Sequence, residues 1–389
     1  MSANDYIRRI GLIGLGFAAW DLKLPSYAAI DGIELVAVAD PSPAARERAQ
    51  RELGIPAERC FADPYELLRS GLVDAVDVST PHHTHADLLV AAAEAGVAAA
   101  CDKPLAMSLE EADRIVAASE RSGTPIGVFR NFAHFPSHAK MRELVEQGAI
   151  GRPSFARVSA IGVFAPDTTG ANAKSWRLRS EVAGGGITID YGIHAIYLAR
   201  GLLGGAEIVR VSATIDRVDV QAGDVEDRVS MRLETADGAY ATVDLTWGGG
   251  STGDVTVFGS HGVLKIVHEG GISAPHNVAR AVGHMTDRRD ETLHELDWTR
   301  DPFDWYYRGA IETFLGQLDG RPGVTAADGR ADLEIALAAY RSAALGGPIA
   351  LPLDPADPVY RRGAAGVREL DLPADSVILR KRLFGGGAA

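Results

Sequence analysis

The sequence predicts an α/β chain in two parts: an N-terminal parallel sheet wound by helices on both faces, then an α+β part built on a large, mostly antiparallel open sheet. Three observations carry this. Across the first 130 residues, short apolar runs alternate with amphipathic stretches of helical length, the pattern of strands joined by right-handed crossovers. Beyond about residue 150 the strands lengthen and alternate in polarity, with Asp237-Gly238 and His261-Gly262 as hairpin turns. A length of 389 residues suits two domains, expected here as 1–130 and 131–389.

In the first part the expected strands are Ile7–Ile13, Glu34–Ala39, Ala75–Ser79, Ala98–Cys101 and Ile126–Phe129, with helices at about 18–30, 43–53, 84–95 and 108–122. Leu35-Val36-Ala37-Val38-Ala39 has no polar interruption, as a strand buried on both faces requires. In the second part the expected strands are Phe155–Phe164, Glu207–Asp216, Arg228–Thr235, Tyr240–Trp247 and Asp254–Phe258. Helical patterns fall at about 136–147, 186–203, 303–318 and 327–345. The charged, histidine-bearing segment 267–300 has no readable period, and Phe384-Gly-Gly-Gly-Ala-Ala389 reads as a frayed end.

Composition narrows the function. Lys and Arg number 39 against 52 Asp and Glu, a net charge of −13, so a general nucleic-acid or anionic-membrane binder is excluded by repulsion. Two cysteines, Cys60 and Cys101, make neither a disulfide framework nor the paired spacing of a zinc site. No run approaches the ~20 apolar residues of a membrane span. Arg8-Arg9 before Ile10–Ala19 has the look of a twin-arginine export signal, but the run is short, glycine-interrupted and lacks a cleavage site. A cytoplasmic protein is expected.

Gly14-Leu-Gly16-Phe17-Ala18-Ala19 follows the first strand and opens a helix. Gly14 permits the tight turn, Gly16 lets backbone approach a pyrophosphate at the helix N-terminus, and Ala19 allows close helix–strand packing. Asp40 ends the second strand 21 residues beyond Ala19, where a carboxylate accepts the ribose hydroxyls and repels a 2′-phosphate. This is a Rossmann dinucleotide fingerprint that favours NAD over NADP. The other reading of Asp40 is a turn residue in Asp40-Pro-Ser-Pro43 that caps the next helix.

Three more segments belong with it. Ser79-Thr-Pro-His-His-Thr-His85 and Cys101-Asp-Lys-Pro104 stand at strand ends, where open parallel sheets bind their ligands. Gly184-Gly-Gly-Ile-Thr-Ile-Asp-Tyr-Gly-Ile-His194 opens a helix in the second part. With these the chain resembles the glucose–fructose oxidoreductase/inositol dehydrogenase/MocA (Gfo/Idh/MocA) family from Ile10 to about Leu353. That family shows a GxGxxA/G loop, a Thr-Pro-Asn-x-x-His stretch, a Glu-Lys-Pro turn and a Gly-Gly-x-x-x-Asp-x-Gly-x-His helix start.

The resemblance places the family's catalytic lysine on Lys103, its aspartate on Asp190 and its histidine on His194. An alcohol gives up hydride easily only when its proton also leaves, which suits a histidine base. Lys103 would stabilise the oxygen's developing charge, and Asp190, four residues before His194, would share its helix face and orient the pair. The resemblance also implies that Thr80, Pro81, His82, His85, Lys103 and Asn131 border the nicotinamide and its ribose, and that Trp176 and Arg177 lie near the substrate with Lys103, Asp190 and His194. Asp102 stands where the family has glutamate, His82 where asparagine is frequent, Ala133 where a polar residue is common, and Tyr197 where an aspartate is common.

No metal is expected: His82, His83 and His85 would diverge from a strand-end turn, without a cysteine or carboxylate nearby. No G-x-S-x-G elbow supports a hydrolase. The implied activity is an NAD-dependent oxidoreductase that moves hydride between nicotinamide and a ring hydroxyl or ketone of a sugar, sugar derivative or cyclitol. Two alternatives stay open: redox-neutral glycoside cleavage through a transient keto-sugar, and a cofactor-sensing regulatory protein. The family further implies a homodimer or homotetramer formed through the C-terminal sheet.

Overall fold

A computed structural model describes residues 7–163, 175–218, 223–248, 252–269, 281–287, 292–298 and 307–370. The end expected to fray lies outside the described residues, as do 303–306 of one expected helix and 270–280 of the unreadable segment. The chain divides into two units. The first comprises Met1–Ala106, Glu110–His134 and Phe303–Arg330, and the second Met107–Leu109, Phe135–Pro302 and Ala331–Ala389. The division is therefore not one cut near residue 130, because a later segment returns to the first unit, where Thr325 bridges Gly127.

The first unit is built on six parallel strands: β1 (Arg8–Ile13), β2 (Ile33–Ala39), β3 (Cys60–Phe61), β4 (Ala75–Val78), β5 (Ala98–Asp102) and β6 (Ile126–Phe129). Their order is β3-β2-β1-β4-β5-β6, so the winding reverses between β1 and β4 and opens a crevice beyond their carboxyl ends. The apolar runs form the core as expected: Ile10, Leu12, Val38, Val76, Val78 and Ala99 are all at most 1% exposed. Helix Pro43–Leu53 starts where Ser42 accepts Ala45 N–H and Pro43 takes the first turn, and it ends at Gly54 with φ +69°. Sequence patterning missed β3 and helix Pro64–Arg69. Two strand residues are too few to show a period, and that helix is announced mainly by its cap, Asp63.

Among the described residues the second unit carries nine strands: β7 (Pro153–Val163), β8 (Ile208–Asp216), β9 (Arg228–Thr235), β10 (Tyr240–Trp247), β11 (Thr252–Gly259), β12 (Gly262–Glu269), β13 (Ala281–Asp287), β14 (Thr292–Trp298) and β15 (Ile349–Ala350). They lie in the order β14-β13-β12-β11-β7-β10-β9-β8-β15, antiparallel except for the parallel pair β7 and β10. Helix Gly192–Leu202 packs on β7 and β10; Ala195, Ile196 and Ala199 of the helix and Val158, Ala241 and Val243 of the two strands are all buried. The other face is largely polar, with Arg157, Arg228 and Ser230 exposed around a half-buried cluster of Phe155, Tyr240 and Phe258. Among the described residues no helix is long and apolar enough to cross a membrane.

Candidate active site

Every residue expected at the nucleotide end falls at the carboxyl ends of β1, β2, β4, β5 and β6. Gly14 holds φ +89°, and a Cβ there would stand 2.5 Å from the Ser79 carbonyl oxygen, so the turn admits only glycine. Gly16 is the opposite case. It is exposed, and a Cβ there would meet nothing within 4 Å. The loop thus leaves bare backbone facing open space ahead of the first helix, as a pyrophosphate requires. Phe17 is 56% exposed beside it, and Ala19 is fully buried against the sheet.

Asp40 accepts Leu15 N–H on Oδ2 and Ser42 N–H on Oδ1, both at 2.8 Å, tying the end of β2 to the glycine loop. It makes the turn, while Ser42 is the helix cap. Asn131 follows β6 and is 2% exposed; among the described residues its buried Oδ1 accepts no hydrogen bond. An orphaned acceptor at this end suits a carboxamide N–H. The open cradle at Gly16 and the acceptor at Asn131 together fit a nicotinamide dinucleotide.

His85 is fully buried behind the β4 turn, with Nδ1 2.9 Å from Pro104 O and Nε2 3.0 Å from Thr80 O. Both partners are acceptors, so a neutral ring can donate to only one of them. Burial pushes its pKa down and outweighs the pull of the two carbonyls toward the imidazolium. His85 thus joins the turn after β4 to the turn after β5. His82, 4% exposed, packs edge-on against it at 5.7 Å.

Lys103 follows Asp102, the last residue of β5, and is half-buried. Beneath this turn lies a charged cluster that sequence reading missed. Lys23, fully buried, donates to Asp77 Oδ1 at 2.7 Å and Ser79 Oγ at 2.8 Å, and stands 3.0 Å from Asp102 Oδ1. Tyr27 donates to Asp77 Oδ2 at 2.9 Å, and Tyr307 to Asp102 Oδ1 at 2.9 Å. Burial alone would lower the Lys23 pKa, but the two carboxylates outweigh it and hold the ammonium charged. Burial raises Asp77, opposed by Lys23 and reinforced by Asp102. A signal was present: Ala19, Lys23 and Tyr27 recur at helical spacing on the core-facing stripe, and Asp77 interrupts an otherwise apolar central strand.

The second unit carries the remaining residues. Gly184 and Gly185 have φ +77° and +155°, and a Cβ on Gly186 would lie 2.0 Å from Glu226 O. The three glycines thus let the chain run against buried Glu226, whose carboxylate accepts Gly186 N–H at 2.9 Å, Thr188 N–H at 3.0 Å and Tyr340 O–H at 2.6 Å. Burial nevertheless raises the Glu226 pKa, more than these donors lower it. The expected single helix comes as two, Ile187–Asp190 and Gly192–Leu202, broken at Tyr191. Asp190 Oδ1 lies 3.7 Å from Arg177 Nε, and the Arg177 guanidinium lies 4.4 Å from the Trp176 ring centre. His194 is 6% exposed, and its Nδ1 is 2.6 Å from the Tyr197 hydroxyl. Tyr197 and Glu226 were not expected from sequence as partners, since neither lies in a motif that names the atoms it binds.

Lys103 belongs to the first unit, and Asp190 and His194 to the second. Among the described residues no group of three His, Cys, Asp or Glu side chains is placed to hold a metal ion.

A family model described as the oxidoreductase family, NAD-binding Rossmann fold, matches residues 8–129. The GFO/IDH/MocA C-terminal domain model matches 138–265. A 1,5-anhydro-D-fructose reductase of Ensifer adhaerens is 30% identical over 345 residues, 87% of this chain and 97% of that protein. Myo-inositol 2-dehydrogenase of Thermotoga maritima is 28% identical over 347 residues, 86% and 96% of the two chains. The crystal structure of GenD2, from gentamicin A biosynthesis, in complex with NAD superposes with a TM-score of 0.74 at 26% identity, covering 90% of this chain and 98% of that one.

Proposed function

The chain belongs to the GFO/IDH/MocA oxidoreductase family, and from that premise we propose that it is an NAD-dependent dehydrogenase of a sugar, sugar derivative or cyclitol, oxidising a ring hydroxyl or reducing the corresponding ketone. The observation that carries the reading is the pairing of an open backbone cradle at Gly16 with an unused buried acceptor at Asn131. Asp40 at the end of β2 supports NAD over NADP, because its carboxylate repels a 2′-phosphate. Relatives named for anhydrofructose and inositol support the polyhydroxylated substrate.

Bound nicotinamide supplies the two-electron chemistry. Lys103 holds the reacting oxygen and stabilises the charge that develops on it. His194 accepts the hydroxyl proton; with Nδ1 engaged by Tyr197, the exchange falls to Nε2. Asp190, next to Arg177, orients the pair, and Trp176 and Arg177 border the substrate. His82, Thr80 and Pro81 flank the nicotinamide ribose. The C-terminal sheet joins copies of the chain into a dimer or tetramer in the cytoplasm.

The test is a single turnover. Concentrated protein is mixed with NAD and pooled cyclitols, sugars and glycosides while near-ultraviolet absorbance of the nicotinamide is followed. Lasting reduction is expected. A transient rise that decays as glycoside is cleaved would replace this reading by a redox-neutral cycle. NAD binding without any turnover would mean either that the pool lacks the substrate or that the chain only senses its cofactor.

A further inference from the structure

Lys103 would be aimed by the backbone that carries it, and that backbone is anchored from below. Its predecessor Asp102 receives two donors on one oxygen, Lys23 Nζ at 3.0 Å and Tyr307 O–H at 2.9 Å. The ammonium of Lys23 has three N–H groups and three oxygen partners, Asp77 Oδ1, Ser79 Oγ and Asp102 Oδ1, so it is fully satisfied. Ser79 Oγ in turn donates to Asp77 Oδ1 at 2.8 Å. The rings of Phe129 and Tyr307 flank the ammonium at 4.4 and 5.0 Å. On the far side of Lys103, His85 reaches Pro104 O at 2.9 Å.

Stability alone does not explain this network, because apolar residues of similar volume often replace a buried ion pair at no cost. What they could not reproduce is a fixed position for Asp102. We propose that Lys23 and Tyr307 are positioning residues: by holding the Asp102 carboxylate from two sides they set the backbone from which Lys103 projects. The inference rests on the assignment of Lys103 to the substrate oxygen. A lysine has four rotatable bonds, so the placement of its Cα limits where its ammonium can be held, and a displacement of ~1 Å in an active site can cost about 100-fold in rate.

The test labels lysines in the intact chain with acetic anhydride in the presence of NAD and reads each site by peptide mass spectrometry. Half-buried Lys140, paired with Glu143, and exposed Lys265 serve as internal references. In the wild-type protein Lys23 is expected to resist labelling. Tyr307→Phe removes one hydroxyl, and Lys23→Met with Asp77→Asn removes the cation together with the carboxylate it would leave unpaired. Both should free the turn and speed Lys103 labelling about threefold or more relative to Lys140 and Lys265, with NAD affinity retained, and lower kcat roughly tenfold on the substrate found by the pool assay. An unchanged Lys103 rate in both variants would overturn the proposal, as would a rise shared by all three lysines. If Lys103→Ala kept full turnover while the labelling difference stood, the catalytic assignment would fall and the positioning would remain.

Discussion

Gly16→Ala separates cofactor binding from folding. In the structure the added methyl meets nothing within 4 Å and the backbone has no positive φ, so the protein without cofactor has no reason to move. At a φ that alanine can adopt, alanine in place of glycine is favourable by ~0.4–1 kcal/mol through the unfolded chain, which shifts the melting temperature by only about 2–4 °C. The same methyl would occupy the space that lets phosphate reach backbone N–H groups. Losing one charge-assisted hydrogen bond there costs ~1.5–3 kcal/mol, or roughly 10- to 150-fold in NAD affinity. Gly14→Ala is the control. Its methyl would stand 2.5 Å from Ser79 O at φ +89°, so it should destabilise the protein even without NAD. Thermal melts and NAD titrations followed by tryptophan fluorescence read both effects. The reasoning is refuted if Gly16→Ala binds NAD as tightly as wild type, or if it lowers the melting temperature as much as Gly14→Ala does.

Other expectations follow from single contacts. Asp40→Ala removes the acceptor of Leu15 N–H and Ser42 N–H, and should weaken NAD roughly tenfold while leaving NADP less affected; an unmoved NAD-to-NADP affinity ratio would contradict the ribose contact. His194→Asn should lower kcat/KM by ~100-fold or more near neutral pH and flatten its pH profile, whereas an unchanged profile would point to another base. Glu226→Gln should destabilise the protein most in acid. The folded state raises the Glu226 pKa, so it holds the proton more tightly than the unfolded chain does. Its contribution is thus full below the unfolded pKa of ~4.3 and declines as pH rises through the folded value. Chemical denaturation at acid and neutral pH measures this, and a larger loss at neutral pH would refute it.

The apolar strands were legible because burial on both faces or on alternate positions writes itself into local order, as in Leu35–Ala39 and Tyr240–Trp247. Five strands, β3 and β12 to β15, were not. Strands β12 to β14 lie in or beside a charged, histidine-bearing stretch with no period, and β3 and β15 have two residues each. The glycines of both loops were legible as types, and the structure gives them distinct reasons: backbone contact at Gly14 and Gly186, open space at Gly16. The Lys23 cluster was hidden because its partners come from positions 77, 79, 102 and 307, and only the fold joins them. Glu226 was hidden for a related reason, since two of the groups it holds are backbone N–H groups that no residue type advertises.

Lys103→Ala tests the central claim most directly. NAD titration and single-turnover reduction on the same preparation should show cofactor affinity nearly intact and a rate reduced by at least ~100-fold. Near-normal turnover with NAD bound would contradict the assignment of Lys103 to the reacting oxygen, and with it the chemistry proposed for the site.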